Sequence, residues 1–411
     1  MATLAADNVP AFDPVAEEAV DESLASAARR EGPWDYYRQL RERAPVYYSR
    51  SRGMWFLTGY RAVESILKSS AALLEFEKRM DTVRPDWRDH PSNANVAPFI
   101  AFVDGEAHQK IRKPFSPKFT PKEMERFRPA IRAIAEEHVD RYIEAGGGRF
   151  ADLVAFPFAE RVLCHLFAFD KTKLPNARDL VHRMQIGFEL DATPEQLADA
   201  DEASREYRTF WQGEFAQRVG DWSGNDMFSD LLRDDSFTRE EIGLIAESIF
   251  SGGFDSTALT MTTGAWLLAS HPEEIDRARN DPEAMARIPE EVLRMGSGIP
   301  MTIRVSTRPI EIEGYLLPTD SVIGVVLAGA NRDPAIFADP ERFDLTRAPY
   351  RVMSFSYGAH ACLGQWTARI EIFEIFRALI SRSKSIRLVG DPIFRDRQSV
   401  RGVEDVVLAV T

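Results

Sequence analysis

The sequence predicts a mainly helical fold with a small β component. Three observations carry this. Apolar residues recur at helical spacing through most of the chain between about residues 105 and 295. Period-two alternation is confined to short runs bounded by turn signals, chiefly around 45–59 and 303–329. No internal repeat, low-complexity run or obvious linker divides these blocks.

Taken in order, residues 1–30 are acidic and alanine-rich and read as a loose lead-in, with residues 31–411 expected to form a single domain. "PWDYYRQLRERAP" opens on Pro33 and predicts a short helix. "PVYYSRSRGMWFLTG" predicts two short strands around a turn. Residues 70–100, with Arg79, Arg84, Arg88 and several prolines, read as irregular. "PKEMERFRPAIRAIAEEHVDRYIEAGGG" predicts one long amphipathic helix stopping at Gly146–Gly148, and "TPEQLADADEASREYRTFWQGEFAQRVG" another. The longest helix is predicted over "FTREEIGLIAESIFSGGFDSTALTMTTGAWLLASHP", with Thr238 and Glu241 as a capping box and an end at His271–Pro272. "PEEVLRM" adds a further helix. "IRVSTRPIEIEGYLLPTDSVIGVVLAG" reads as a small sheet, "CLGQWTARIEIFEIFRALISR" as a helix from about Leu363, and "RDRQSVRGVEDVVLAV" as a last hairpin.

Composition narrows the function classes. The 411 residues carry a formal net charge of −13, which argues against a nucleic-acid or anionic-membrane surface over the chain as a whole. No apolar run approaches the roughly 18 residues of a spanning helix, and the N-terminus has no signal-like pattern, so a cytoplasmic location is expected. The two cysteines, Cys164 and Cys362, make neither a disulfide framework nor a C-x-x-C pair. Cys164 lies in the apolar helical pattern "RVLCHLFAF" and reads as a small core residue.

Four stretches carry chemistry. "FSYGAHACLG" sets Cys362 just before a helix, where backbone N–H groups and the helix dipole favour a thiolate. Gly358 and Gly364 let that backbone approach something flat. The thiolate suits a nucleophile with His360 as base, or a ligand of haem iron. "SGGFDST" puts Gly252 and Gly253 inside the long helix, followed by Asp255 and Ser256. It reads either as close packing with Asp255 exposed, or as an opened helix whose carboxylate and hydroxyl deliver protons. Glu291 and Arg294 stand at i, i+3, a surface pair unless a third partner makes it a buried network, for which Arg342 in "DPERFD" is the candidate. His108 and Arg112 stand at i, i+4, either solvated or clamping an anion.

Together these stretches resemble the cytochrome P450 family of haem-thiolate monooxygenases, over nearly the whole chain from about residue 33. "FSYGAHACLG" looks like its F-x-x-G-x-x-x-C-x-G cysteine loop, "GGFDST" like its oxygen-activating helix motif, and Glu291-x-x-Arg294 with "NRDPAIFADPERFDLTR" like its E-x-x-R network. The resemblance implies a P450 fold with haem b (iron protoporphyrin IX) between the long central helix and the cysteine-loop helix. It implies Cys362 as iron ligand, Phe355, Gly358 and Gly364 beside the haem, and His360, His108, Arg112 and Arg304 as propionate partners. Asp255 and Ser256 become the proton-delivery candidates; the family usually has threonine where this chain has Ser256, which puts coupling efficiency in question. The distal pocket is expected from Ile100, Ala101, Val103, Ser248, Ser251, Gly252, Ile299, Met301, Thr302 and Val400, a mostly apolar set suited to a terpenoid or aromatic.

The pattern looks closest to the soluble bacterial branch and its camphor-hydroxylating group. Dioxygen is the implied co-substrate, and electrons are expected from a separate ferredoxin-type donor and its reductase, with Lys110, Lys113 and Lys118 as a candidate docking patch. Neither nucleic acid nor membrane is expected as a partner. The rival readings are a peroxide-driven haem enzyme, a non-catalytic haem sensor, and a cysteine hydrolase without haem.

Overall fold

A computed structural model describes residues 10–25, 32–189, 191–217, 226–233 and 237–411. The lead-in expected to be loose is helical over Pro14–Leu24. Asp13 caps it by accepting from the Val15 and Ala16 N–H groups at 2.9 and 3.1 Å. Its buried face is Ala16, Ala19, Val20 and Ser23. Glu17 pins it to the first hairpin by accepting from the Tyr47 hydroxyl at 2.7 Å, the Ser49 hydroxyl at 2.9 Å and the Ser51 N–H at 2.7 Å. Residues 1–9 and 26–30 of that lead-in lie outside the described residues.

The predicted N-terminal hairpin forms as β1 (Val46–Ser49) and β2 (Met54–Leu57), but not as a separate unit. Together with β3 (Ala72–Leu73), β5 (Thr302–Ser306) and β8 (Val322–Val325) it makes one five-stranded sheet in the order β1-β2-β8-β5-β3. The join is the parallel β2–β8 pair, with Trp55 opposite Ile323. Residues 70–100, expected to be irregular, supply β3, a helix Phe76–Val83 and a short helix Pro91–Ala94. Phe76 and Met80, one turn apart, bury the inner face of the first of these helices.

The predicted helix after Pro121 is two helices, Pro121–Glu125 and Arg128–Glu144. Pro129 stands in the first turn of the second, the position where a missing N–H costs nothing; one continuous helix would have placed it in the interior. The helix predicted over 193–220 runs Pro194–Gln217, and its last three positions lie outside the described residues. "PEEVLRM" is the end of a longer helix, Pro282–Met295, capped by Asp281. The cysteine-loop helix starts at Gln365, two residues later than predicted, and runs to Arg382. The last hairpin lies earlier than predicted: β9 (Ile386–Phe394) pairs antiparallel with β10 (Val403–Val410), and β4 (Gly147–Arg149) closes the three-stranded sheet β4-β10-β9. β6 (Ile310–Ile312) and β7 (Tyr315–Leu317) form a separate two-stranded sheet. The helices gather around one large apolar cluster, which Cys164 joins as a partly buried member. Among the described residues, no helix is long and apolar enough to cross a membrane.

The central helix pair positions the site. The capping box forms as predicted: the Glu241 N–H donates to Thr238 Oγ1 at 3.2 Å, and the Thr238 N–H donates to Glu241 Oε2 at 2.8 Å. The helix does not run unbroken. It comprises Arg239–Gly253 and Asp255–Ser270, interrupted at Phe254.

Candidate functional site

The cysteine loop closes on itself before the C-terminal helix begins. The Cys362 N–H donates to the Phe355 carbonyl at 2.8 Å. The Phe355 ring lies under the Arg369 guanidinium at 4.7 Å. The Cys362 thiol is accessible, yet surrounding protein desolvates it: burial pushes the thiol up, while the Gly364 N–H, Arg112 and Arg369 act the other way. The residue is thus exposed while protein atoms still crowd its sulfur. His360 is not among the groups acting on the thiol. Its Nε2 bonds Asp104 Oδ1 at 3.0 Å, which speaks against a cysteine–histidine nucleophile pair.

Gly358 departs from its expected role. Its φ is +73°, and a Cβ there would come within 2.3 Å of the Leu67 carbonyl oxygen. Its close approach is to the helix Tyr60–Lys68, so it fixes where the loop docks. Gly358→Ala should lower stability by about 3 kcal/mol, the sum of a left-handed backbone and a backbone clash. Thermal unfolding of the purified variant checks this. At Gly364 and Gly252, by contrast, a Cβ would meet no protein atom within 4 Å. Each presents a bare backbone face.

A cationic edge lies beside the thiol. His108 is buried, and its Nε2 has no partner among the described residues. Burial, His360 and Arg112 together hold it down to about 4. The His108 and His360 rings lie 4.2 Å apart. Burial also lowers Arg112, against a small opposing pull from Cys362. Among the described residues Arg304, 3% exposed, donates only to Thr302 Oγ1 at 2.9 Å and the Ile303 carbonyl at 2.8 Å, and burial pushes it down to about 10. The carboxylate within this edge, Asp104, accepts from His360 and from the Leu74 and Glu75 N–H groups. Desolvated cations that pair with no acid among the described residues, next to bare glycine faces and the Cys362 thiol, fit a planar group with an anionic rim, which is the haem that the sequence resemblance implies.

The central helix breaks beside a buried acid, so the close-packing reading with Asp255 exposed does not hold. Asp255 is 1% exposed. Burial pushes its carboxyl up, but Arg395 outweighs this and holds it below the ordinary carboxylate range. Arg395 Nη1 and Nη2 donate to Asp255 Oδ2 and Oδ1 at 2.6 and 3.0 Å, while Arg395 Nε pairs with Glu404. The Ser256 hydroxyl donates to the Gly252 carbonyl at 3.0 Å, and the Thr257 hydroxyl to the Gly253 carbonyl at 2.9 Å. Close packing does hold at Gly253, whose Cβ would meet Leu163 at 3.2 Å.

A cavity of about 280 Å³ opens between the 98–103 loop, the helix Gly105–Phe115 and the central helix, and Leu363 of the cysteine loop reaches it. It gathers Ile100, Val103 and Ser248 from the predicted lining, adding Phe99, Leu244 and Ile245. Ala101, Ser251 and Gly252 stand on the same two segments without lining it. Ile299, Met301, Thr302 and Val400 lie outside it. Met301 packs toward Gly324 of the large sheet, and Thr302 is the acceptor for Arg304.

The Glu291–Arg294 pair is buried, at 4% and 1% exposure, so the reading as a surface pair fails. Arg294 Nε and Nη2 meet the carboxylate at 2.8 and 2.7 Å. The predicted third member is corrected. Arg342 is exposed and contributes only its carbonyl, which accepts from Arg294 Nη2 at 2.8 Å. The side chain that joins is Arg347, 3.4 Å from Glu291. The chain turns after Asp344, whose N–H donates to Glu291 Oε1 at 2.9 Å, and this swings Arg347 inward. Lys110 is also corrected as a free docking lysine, because it pairs with Glu241 across the cavity mouth.

Sequence reasoning missed Arg347, Arg369 and Arg395. Arg395 lies 140 positions from Asp255, so no local spacing marks it. Arg347 ends the same quoted segment as Arg342, so that segment held the signal but not the choice between them.

Comparison with known proteins places the chain among the cytochromes P450. Residues 195–386 match the family model for cytochrome P450. The chain is 29% identical to 6-deoxyerythronolide B hydroxylase of Saccharopolyspora erythraea, over 90% of this chain and 95% of that one. It is 26% identical to the biotin biosynthesis cytochrome P450 of Bacillus subtilis, over 89% and 93%. A myxobacterial cytochrome P450 solved with myristic acid superposes with a TM-score of 0.84 at 26% identity, covering 95% of this chain and 98% of that one.

Proposed function

The chain belongs to the cytochrome P450 family and is a haem-using P450 monooxygenase, and from that premise we propose that it inserts one atom of dioxygen into a small hydrophobic terpenoid or aromatic, with electrons from a separate ferredoxin-type donor and its reductase. The observation that carries the site assignment is the buried, unpartnered His108 Nε2 and the desolvated Arg112 and Arg304 guanidiniums gathered near the Cys362 loop. Haem, when bound, supplies dioxygen activation and one-electron chemistry. The chain's own residues hold and serve it. Cys362 would hold the iron through its thiolate, which the Gly364 N–H, Arg112 and Arg369 favour against the burial that raises the thiol. His108, Arg112 and Arg304 take the propionates, with His360 held over His108 by Asp104. The apolar cavity positions substrate and excludes water.

Asp255 and Ser256 are the proton-delivery groups in this reading. At rest Asp255 is an arginine-held carboxylate, so it passes a proton only when Arg395 loosens, and Arg395 keeps Glu404 as a second partner. Asp255→Asn removes the titrating group while preserving shape. Turnover should fall by about 100-fold with an unchanged reduced, carbon monoxide-bound spectrum. Product formation and its solvent isotope effect measure this; unchanged turnover would move proton delivery elsewhere. Lys113, exposed next to Arg112, remains the docking candidate for an acidic electron donor. The deciding experiment for the whole reading is the spectrum of the reduced protein with carbon monoxide. A strongly red-shifted Soret band supports thiolate ligation, and its absence in haem-reconstituted protein removes it.

A further inference from the structure

Arg79, Arg84 and Arg88 follow one another along the segment that leads to the cavity, and two of the three are committed. Arg84 donates to Asn93 Oδ1 at 2.9 Å and to the Gly187 and Glu189 carbonyls, both at 2.8 Å. Arg88 pairs with Asp81 and, at 3.1 Å, with Glu77. Arg79 has neither kind of partner. It is half-buried, its Nε is buried and unpartnered, and among the described residues no acid pairs with its guanidinium. The group it does meet is the Phe76 ring, 5.5 Å away. Burial pushes it down to about 10.

The charge that Arg79 acts on is another cation, Arg304 of strand β5. Asp104 pulls Arg304 up and Arg79 pushes it down, but Asp104 already serves His360 and two backbone N–H groups. Two desolvated guanidiniums that share no free acid cost free energy until an anion joins them. The location is also specific. Phe76, one turn before Arg79, packs on Phe102 with ring centroids 4.8 Å apart. Phe102 belongs to the loop whose Phe99, Ile100 and Val103 line the cavity. Arg79 therefore stands where the lining loop borders the cationic edge, and its planar fork matches a carboxylate.

We propose that Arg79 is the receptor for a carboxylate at the border of the cavity, acting together with Arg304. This rests on the haem-thiolate reading above. Two sources share that chemistry: a propionate of the cofactor, and a carboxylate of the substrate. The holoprotein and its Arg79→Ala, Arg79→Gln and Arg79→Lys variants separate them, with Arg88→Ala as the control for a surface arginine. One arm titrates the haem spectrum with dodecanoate and with methyl dodecanoate, and with cinnamate and methyl cinnamate. The other measures the rate of haem transfer to apomyoglobin.

A substrate carboxylate predicts at least tenfold weaker binding of the acids to Arg79→Ala and Arg79→Gln, with the esters within twofold and haem transfer unchanged. A propionate predicts severalfold faster haem transfer with the acid-to-ester ratio unchanged. In either case Arg79→Lys falls between wild type and Arg79→Ala, and Arg88→Ala matches wild type. If Arg79→Ala fails to fold, Arg79→Gln and Arg79→Lys decide. Unchanged haem transfer together with no acid preference in the wild type, whether through equal binding or no binding, overturns the proposal. A wild type without the red-shifted carbon monoxide band overturns the reading beneath it, which is a different failure.

Discussion

Cys362→Ala should abolish the red-shifted carbon monoxide band and reduce monooxygenase activity by more than the roughly 10–100-fold that a change outside the ligand shell costs. The sulfur is the electron-rich donor in this reading, and nothing in the loop replaces it. His360, two residues away, is turned to Asp104. The variant should still fold, because the residue is exposed and belongs to no apolar core cluster among the described residues. Circular dichroism and thermal unfolding close to wild type, with the spectral signature lost, is the expected pair of results. Cys164→Ser is the internal control, since Cys164 packs beside the main apolar cluster and should leave the band in place. A band that survives Cys362→Ala would return Cys362 to an ordinary loop residue and remove the central assignment.

What the sequence made legible is what local spacing encodes. The cysteine loop, the capping box at Thr238 and the paired His108 and Arg112 are all set within a few residues. The central helix break was legible as an alternative, because Gly252 and Gly253 weaken the helix just before it breaks at Phe254. Partners brought together by the fold were not legible. Nothing near Asp255 names Arg395, 140 positions on. Nothing in the first hairpin shows that β2 pairs with β8. The choice of Arg342 over Arg347 failed for a related reason. Both arginines stand in the right segment, and only the turn after Asp344 decides which side chain goes inward. The lead-in failed differently: its mostly small apolar residues, interleaved with acids, hid a small-residue face that needs only a shallow surface to dock on.

That choice between arginines leads to the second large effect. Glu291→Ala or Arg294→Ala each leaves one buried charge without its partner, a change that costs about 3–5 kcal/mol, against a typical total stability of about 5–15 kcal/mol. The damage should reach the cysteine loop before global unfolding, because the network is wired to it. Arg294 Nη1 donates to the Pro340 carbonyl at 2.6 Å and the Asn331 carbonyl at 3.2 Å. Asn331 in turn accepts from the Met353 N–H at 2.6 Å and donates to Ser354 Oγ at 2.7 Å, and the Ser354 hydroxyl donates to the Leu293 carbonyl at 2.6 Å. Phe355, the acceptor for the Cys362 N–H, is the next residue. Haem content should therefore fall at temperatures where helical circular dichroism is still intact. Arg294→Lys should rescue little, since one ammonium cannot reproduce the fork that meets the carboxylate and three carbonyls together. Arg347→Ala should cost an intermediate 1–2 kcal/mol, roughly a lost charged hydrogen bond. Arg342→Ala should stay within about 0.5 kcal/mol of wild type, because only its carbonyl is used. Thermal unfolding and haem content across the four positions test that order, and an Arg342 effect larger than that of Arg347 would return the third place in the network to Arg342.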